Sequence, residues 1–206
     1  TRYMALSYVW GGVEQLQLER ENEDVLRQRN GLILFMDVIP LTIRDAITLV
    51  AKLGERYLWV DSLCIRQDDK ADKLEQIEQM GLVYGGALLT ISAAAGKDAS
   101  YGLAGARPGT RSVKQSPQIV GELAMTNMLP STAETGEVAV LATRGWTYQE
   151  KVLSQQNLLI TEKLVFYHCG HVISPEDEHC WHPTEEEPRR DFGHMLFSYA
   201  ENERIE

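Results

Sequence analysis

Short apolar runs alternate with amphipathic stretches along the first half of the chain. Continuous apolar runs at residues 4–10, 57–60 and 87–92 predict three buried strands. Between them, apolar residues recur every three or four positions over residues 43–53 and 74–84, which predicts two helices. Strands that alternate with helices in this order predict an α/β fold with a parallel sheet and right-handed crossovers.

Local signals predict where the two helices begin and end. Thr42 and Asp45 stand three positions apart, as in a capping box, and Gly54 follows the last apolar position of the first helix. Acidic residues within 67–72 suit the start of the second helix, because negative charge is favourable at a helix N-terminus.

The second half of the chain has a different composition. Residues 96–136 are rich in Gly, Ser, Thr, Pro and Ala and predict a loop-rich insertion, followed by a helix over about 143–153. Apolar runs at 158–160 and 164–167 predict a β-hairpin. We therefore expect one domain over residues 1–175 and a C-terminal extension over 176–206, with a helix near 192–199.

Composition narrows the classes of partner. The chain has 206 residues, of which 44% are hydrophobic, and 30 acidic against 20 basic residues give a net charge of −10. Such a charge repels a nucleic-acid backbone, and no apolar run is long enough to span a membrane. Three cysteines fit a reducing compartment. We expect a cytoplasmic protein without a nucleic-acid or membrane partner.

The end of the first strand carries residues suited to ligand binding. Ligands of parallel sheets bind at the carboxyl ends of strands, where this chain has Ser7, Tyr8, Trp10 and Gly11. A hydroxyl, two aromatic rings and a glycine turn can hold a planar ring and leave backbone N–H groups for phosphate. The alternative is a core strand with aromatic packing.

The end of the second strand offers a carboxylate and a thiol. Asp61 directly follows this strand, so it lies either in the ligand crevice or caps the next turn. Cys64 is a nucleophile only beside a histidine, and none precedes residue 168. The residues themselves favour a small buried side chain at Cys64.

A second carboxylate lies in the predicted late helix. Trp146 and Glu150 are four residues apart and share a face with Leu153, which places a carboxylate on an apolar stripe. A buried carboxylate must be paired, protonated or used in chemistry. A structural ion pair with Arg144 is the alternative to a functional role.

Two similar clusters near the end of the chain contain metal-ligand types. Their members are His168, Cys169, His171, His179, Cys180 and His182. Zinc requires four ligands in tetrahedral geometry, and side chains that alternate along a strand do not all point to one side. A zinc site is therefore the less favoured interpretation.

Four motifs in this order closely resemble the fungal heterokaryon incompatibility (HET) domain. They are ALSYVWG at 5–11, PLTIRDAI at 40–47, LWVDSLCIRQD at 58–68 and RGWTYQE at 144–150, the last followed by Leu153 and Ser154. The resemblance covers residues from about 3 to 170. It implies a cell-death effector of filamentous fungi that responds to an incompatible-allele protein partner.

The HET domain is in turn distantly similar to Toll-receptor-type (TIR) domains, some of which cleave NAD. Ser7 with Tyr8, Asp61, and Trp146 with Glu150 match three TIR positions in order. The resemblance implies a flavodoxin-like sheet with a C-terminal hairpin, and NAD or a related nucleotide as substrate, without a bound cofactor. It assigns catalysis to Glu150 and binding to the following set: Ser7, Tyr8, Trp10, Gly11, Asp61, Cys64, Arg144 and Trp146. The alternative is a non-catalytic signalling module that works by self-association, and self-association is expected in either case.

Overall fold

A computed structural model describes residues 1–111, 118–120, 123–125, 150, 152–169 and 172–175. A six-stranded mixed sheet forms the centre of this part of the chain. Its strands are β1 (Met4–Ser7), β2 (Leu58–Trp59), β3 (Leu89–Ala93), β6 (Gln156–Ile160), β7 (Val165–Cys169) and β8 (Val172–Pro175), and a separate hairpin contains β4 (Gln118–Val120) and β5 (Leu123–Met125).

The strand order confirms the predicted fold class. The sheet has the order β2-β1-β3-β6-β7-β8, in which the first four strands are parallel and the last three are antiparallel neighbours. In a flavodoxin-like sheet the first strand likewise lies between the second and the third, and ligands bind where the chain reverses direction across the sheet. Here that point lies between β1 and β3.

The helices are α1 (Glu23–Leu26), α2 (Leu41–Lys52), α3 (Asp61–Cys64) and α4 (Lys70–Gly86), with a 3-10 helix at Gly31–Phe35. The predicted end of α2 is correct, because Gly54 adopts a φ of +75° just after the helix. Asp69 caps α4 by accepting hydrogen bonds from the backbone N–H groups of Ala71 and Asp72.

The predicted capping box at the start of α2 is wrong. Pro40 is the N-cap residue and makes no side-chain cap. Thr42 and Asp45 instead accept hydrogen bonds from the backbone N–H groups of Gly102 and Leu103, at 3.1 and 2.9 Å. The two polar side chains therefore fasten a distant loop to α2.

The two faces of the sheet differ in polarity. Alternate side chains of a strand point to opposite faces, so Met4 and Leu6 of β1 face one way while Ala5 and Ser7 face the other. The first face packs on α2 in the main core, whose buried members include Met4, Leu6, Ile43, Ala46, Val50, Leu89 and Ile91. On the second face, Ala5 packs against Tyr84 of α4.

The second face also buries polar side chains. Ser7, Thr90, Ser92 and Asn157 are all at most 5% exposed. Ser7 and Thr90 have side-chain hydrogen-bond partners, whereas within the described residues the side-chain nitrogen and oxygen of Asn157 have none. This side of the sheet therefore differs in chemistry from the apolar core.

The late part of the chain forms the predicted hairpin. β6 and β7 pair in antiparallel fashion across the turn at residues 161–164. β6 also pairs with β3 in parallel, which the sequence did not reveal. Of the predicted helix at 143–153, Glu150, Val152 and Leu153 are described and are helical. The extension at 176–206, including its predicted helix, lies outside the described residues. Within the described chain, no helix has the length and apolar character required to cross a membrane.

Candidate functional site

Glu150 and Ser7 meet at the carboxyl end of β1. Ser7 is the last residue of this strand, and its hydroxyl donates a hydrogen bond to Oε2 of Glu150, which follows 143 residues later in the chain. Ser7 is 3% exposed and Glu150 8% exposed. The fold therefore brings a buried carboxylate to the edge of the sheet where ligands of this architecture bind.

Ser154 fixes the backbone that carries Glu150. Its hydroxyl hydrogen-bonds to the Glu150 carbonyl and lies 2.7 Å from Oγ1 of Thr90 in β3. Beside it, Leu153 contacts Gly81 of α4, where a Cβ atom would lie 3.4 Å from Cδ1 of the leucine. Leu153 and Ser154 are thus held between α4 and the central strand.

Tyr84 of α4 brings a phenol hydroxyl to the same place. The hydroxyl donates to the carbonyl of Leu6, at 3.2 Å. Burial, followed by the negative charges of Glu150 and Asp61, raises the pKa of Tyr84 well above its ordinary value. Tyr84 is therefore a neutral hydroxyl at every physiological pH.

Asp61 lies at the carboxyl end of β2 and begins α3. Its Oδ2 accepts a hydrogen bond from Nε1 of Trp10 at 2.8 Å, and its Oδ1 accepts one from the backbone N–H of Ser62 at 2.7 Å. Burial raises the pKa of Asp61 to about 6, while the donors Trp10 and Ser62 oppose the rise. The carboxylate therefore contacts its own helix start and also a predicted ligand-binding aromatic residue.

Tyr8 belongs to the core. It is 5% exposed, and its hydroxyl lies 3.1 Å from both Oε1 of Gln15 and Oγ of Ser62. Burial and the charge of Asp61 raise the pKa of Tyr8 far above its ordinary range. The Tyr8 ring therefore packs in the core, and ligand binding by Tyr8 stays a prediction.

Gly11 allows two loops to come together at the edge of the sheet. Its φ is +67°, and a Cβ atom built there would lie 2.2 Å from Cβ of Asp98. Next to this contact, the backbone N–H of Ala99 donates to the carbonyl of Trp10 at 3.2 Å. The loop after β1 and the loop after β3 therefore form one continuous rim.

Cys64 is exposed as a whole residue while its sulfur atom is buried, so the predicted burial is correct for the thiol and wrong for the residue as a whole. The short helix α3 turns this position outward, although Sγ itself accepts a hydrogen bond from the backbone N–H of Val60 at 3.4 Å. Burial of the sulfur atom, and also the charge of Asp61, raise the pKa of the thiol. A raised pKa keeps the sulfur protonated and makes it a poor nucleophile.

Two predicted site residues, Arg144 and Trp146, lie outside the described residues. So do four members of the His/Cys clusters, and the described residues contain no group of three or more metal-ligating side chains. Cys64 and Cys169 are free thiols. A zinc site at the two clusters stays the less favoured interpretation, and most of its candidate ligands lie outside the described residues.

The loop after β3 contributes to this edge of the sheet and was not predicted from the sequence. Asp45 is 3% exposed and receives both the backbone N–H of Leu103 and Nε of Arg107, the latter at 3.0 Å from Oδ1. The available signal was the presence of Thr42 and Asp45 on the otherwise apolar face of α2. Buried polar residues of this kind require partners from elsewhere in the chain.

The strand order and the polar rim define an α/β domain with a flavodoxin-like arrangement of its parallel strands and a buried carboxylate at their carboxyl edge. The family model for the heterokaryon incompatibility protein (HET) matches residues 3–150, and the chain belongs to this family. Membership assigns the domain a role in heterokaryon incompatibility. No curated protein and no solved structure matches the chain.

Proposed function

We propose that this domain is a cytoplasmic cell-death effector that cleaves NAD at the bond between nicotinamide and ribose. The observation that supports this proposal most directly is the buried carboxylate of Glu150, which is hydrogen-bonded to Ser7 at the carboxyl edge of the sheet. A second carboxylate, that of Asp61, lies at the end of the neighbouring strand β2, and burial raises its pKa to about 6. Carboxylates in such surroundings are candidates for catalysis.

Cleavage requires stabilisation of positive charge on the ribose. The bond between C1′ and the pyridine nitrogen breaks with both electrons leaving on nicotinamide, which becomes neutral, and C1′ acquires oxocarbenium character. Water then adds to C1′ and loses one proton to solvent, giving ADP-ribose. A carboxylate held beside C1′ stabilises this transition state, and the neutral leaving group needs no general acid. Glu150 has this role in the proposal.

The neighbouring residues position the carboxylate and the ligand. Ser7 orients the Glu150 side chain, and Ser154 orients its backbone. One oxygen of Asp61 is hydrogen-bonded to Trp10 and the other to Ser62. Because a carboxylate has about four acceptor positions, Asp61 can also accept a hydrogen bond from a ribose hydroxyl. The partly buried ring of Trp10 at the rim is available to stack on a planar base.

The test is nicotinamide release from NAD by the purified protein. We expect Glu150→Gln, which has nearly the same shape but no charge, to lower the rate by about a hundredfold or more. Glu14→Gln is the matched control, since it makes the same chemical change at an exposed position. Release by the wild-type protein no faster than by Glu150→Gln would refute the proposed activity.

A non-catalytic signalling module is the second candidate function. It is favoured by apolar side chains on α4 and the adjacent segment, since Leu74, Leu82 and Val152 are 61%, 77% and 61% exposed. Exposed apolar surface of this kind favours self-association or binding of an incompatible-allele protein. This candidate would lose its basis if Glu150→Gln abolished cell death while folding and sedimentation were unchanged.

A further inference from the structure

The loop after β3 is basic in an otherwise acidic protein. Residues 97–111 contain three basic residues and one acidic residue, a net charge of +2 in a chain with a net charge of −10. The loop leaves β3 at its carboxyl end, beside the proposed site. The loop itself therefore has the charge sign that attracts anions, with one of its three basic residues, Arg107, paired with Asp45 of α2.

Backbone hydrogen bonds connect this loop to both the rim and α2. Ala99 donates its N–H to the carbonyl of Trp10 at 3.2 Å and accepts the N–H of Thr42 at 3.1 Å. Three residues later, Gly102 donates its N–H to Oγ1 of Thr42 at 3.1 Å. The loop thus follows a fixed path from the rim to the first turns of α2.

Arg107 is held along this path by one edge of its guanidinium group. Nε of Arg107 lies 3.0 Å from Oδ1 and 3.3 Å from Oδ2 of Asp45, and that carboxylate is 3% exposed. Within the described chain, Nη1 and Nη2 of Arg107 have no hydrogen-bond partner, and the side chain is 44% exposed. Nε is anchored on Asp45 while the other two nitrogens keep their donors in a half-exposed side chain, which is a preorganised arrangement for a phosphate.

Gly102 makes room for this arrangement. Its φ is +89°, and a Cβ atom there would lie 2.6 Å from Oδ2 of Asp45 and 3.1 Å from Nη2 of Arg107. The backbone therefore packs directly against the ion pair. A side chain at position 102 would displace the guanidinium group from its anchored position.

We propose that Arg107 binds a phosphate group of the nucleotide ligand through Nη1 and Nη2, with Asp45 as the positioning residue. The inference rests on the proposed function, because it assigns the reactive ribose to Glu150 and the phosphates to the loop after β3. A bidentate contact from an anchored arginine distinguishes a nucleotide from the corresponding nucleoside. The ligand class is a nucleoside diphosphate or a dinucleotide.

The test compares ligands with and without phosphate. In Arg107→Gln the side chain keeps a donor for Asp45 and loses its charge. We expect this variant to bind ADP at least about tenfold more weakly and to raise KM for NAD by a similar factor, with kcat little changed. The KM for nicotinamide riboside, which has no phosphate, should not change. Arg107→Lys, which keeps the charge, should restore part of the affinity.

Arg27→Gln is the matched control, since Arg27 is also an exposed arginine paired with a carboxylate, that of Glu23. ADP affinity is measured by titration calorimetry, and thermal unfolding checks that each variant is folded. If Arg107→Gln does not fold, the Kd for ADP is compared between Arg107→Lys and the wild-type protein. Both values are measured across a series of salt concentrations.

The outcomes separate this inference from the proposed activity. Weaker ADP binding in Arg107→Gln supports the phosphate site even if the wild-type protein does not cleave NAD. If Arg107→Gln raised KM equally for NAD and for nicotinamide riboside, the Asp45–Arg107 pair would be only structural. That result would overturn the inference. Wild-type protein that does not bind ADP, or that binds it as well as Arg107→Gln does, would also overturn it.

Discussion

Asp61 makes the stability of the domain depend on pH in an unusual direction. Most carboxylates that are paired in a folded protein have lowered pKa values and stabilise it above pH 4. Burial instead raises the pKa of Asp61 from 3.8 to about 6. The folded protein therefore binds this proton more tightly than the unfolded chain does. The stabilising contribution is complete below about pH 3.8 and is lost as the pH rises through 6.

The variant Asp61→Asn isolates this effect because it is uncharged at every pH. A pKa difference from 3.8 to about 6 corresponds to about 3 kcal/mol. We expect the free energy of unfolding of Asp61→Asn, minus that of the wild-type protein, to rise by about this amount between pH 3.5 and 7.5. Most of the rise should fall between pH 4 and 6.

Urea denaturation at a series of pH values measures this difference. The contributions of the other titrating groups to the free energy of unfolding cancel in this difference, because these groups are the same in both proteins. They include Glu23 and Asp69, whose pKa values are lowered by hydrogen bonds from arginines. The asparagine has one acceptor oxygen where the carboxylate has two, and this difference adds an offset that is the same at every pH. A difference that stays flat across the range would refute the argument that Asp61 is desolvated.

Two further substitutions test packing and capping. Gly11→Ala should lower the free energy of unfolding by about 1–2 kcal/mol or more, because φ is +67° and the new Cβ would overlap Asp98. Gly12→Ala should have a much smaller effect, because the space around Gly12 is open. Asp69→Ala should lower it by about 1 kcal/mol through loss of the α4 cap, while Asp69→Asn, which also loses the ion pair with Arg20 but retains the cap, should lower it less. Thermal and urea unfolding measure both pairs; equal losses within either pair would contradict the stated cause.

The order of the elements could be predicted because it depends on local patterns. Apolar runs identified the three early strands, and the spacing of apolar residues identified α2 and α4. The same reasoning placed Asp61 at a strand end, since a polar residue directly after a buried strand must lie at the edge of the sheet. The positions of these residues relative to one another followed from the topology.

Contacts between distant segments could not be predicted in the same way. Thr42 and Asp45 have the spacing of a capping box, and only the path of the loop at 99–107 shows that their partners are about 60 residues away. Leu158–Ile160 has the pattern of a hairpin strand, and an apolar run does not indicate that its other edge pairs with β3. The exposure of Cys64 depends on the single turn of α3, which the short motif did not reveal.

The outermost parallel strand, β2, is two residues long and pairs with β1 at Met4↔Leu58 and Ala5↔Trp59. So short an edge gives another polypeptide few backbone groups to extend the sheet. A protein that docks on this flank is therefore recognised through side chains, and such contacts can be altered one residue at a time without disturbing the sheet.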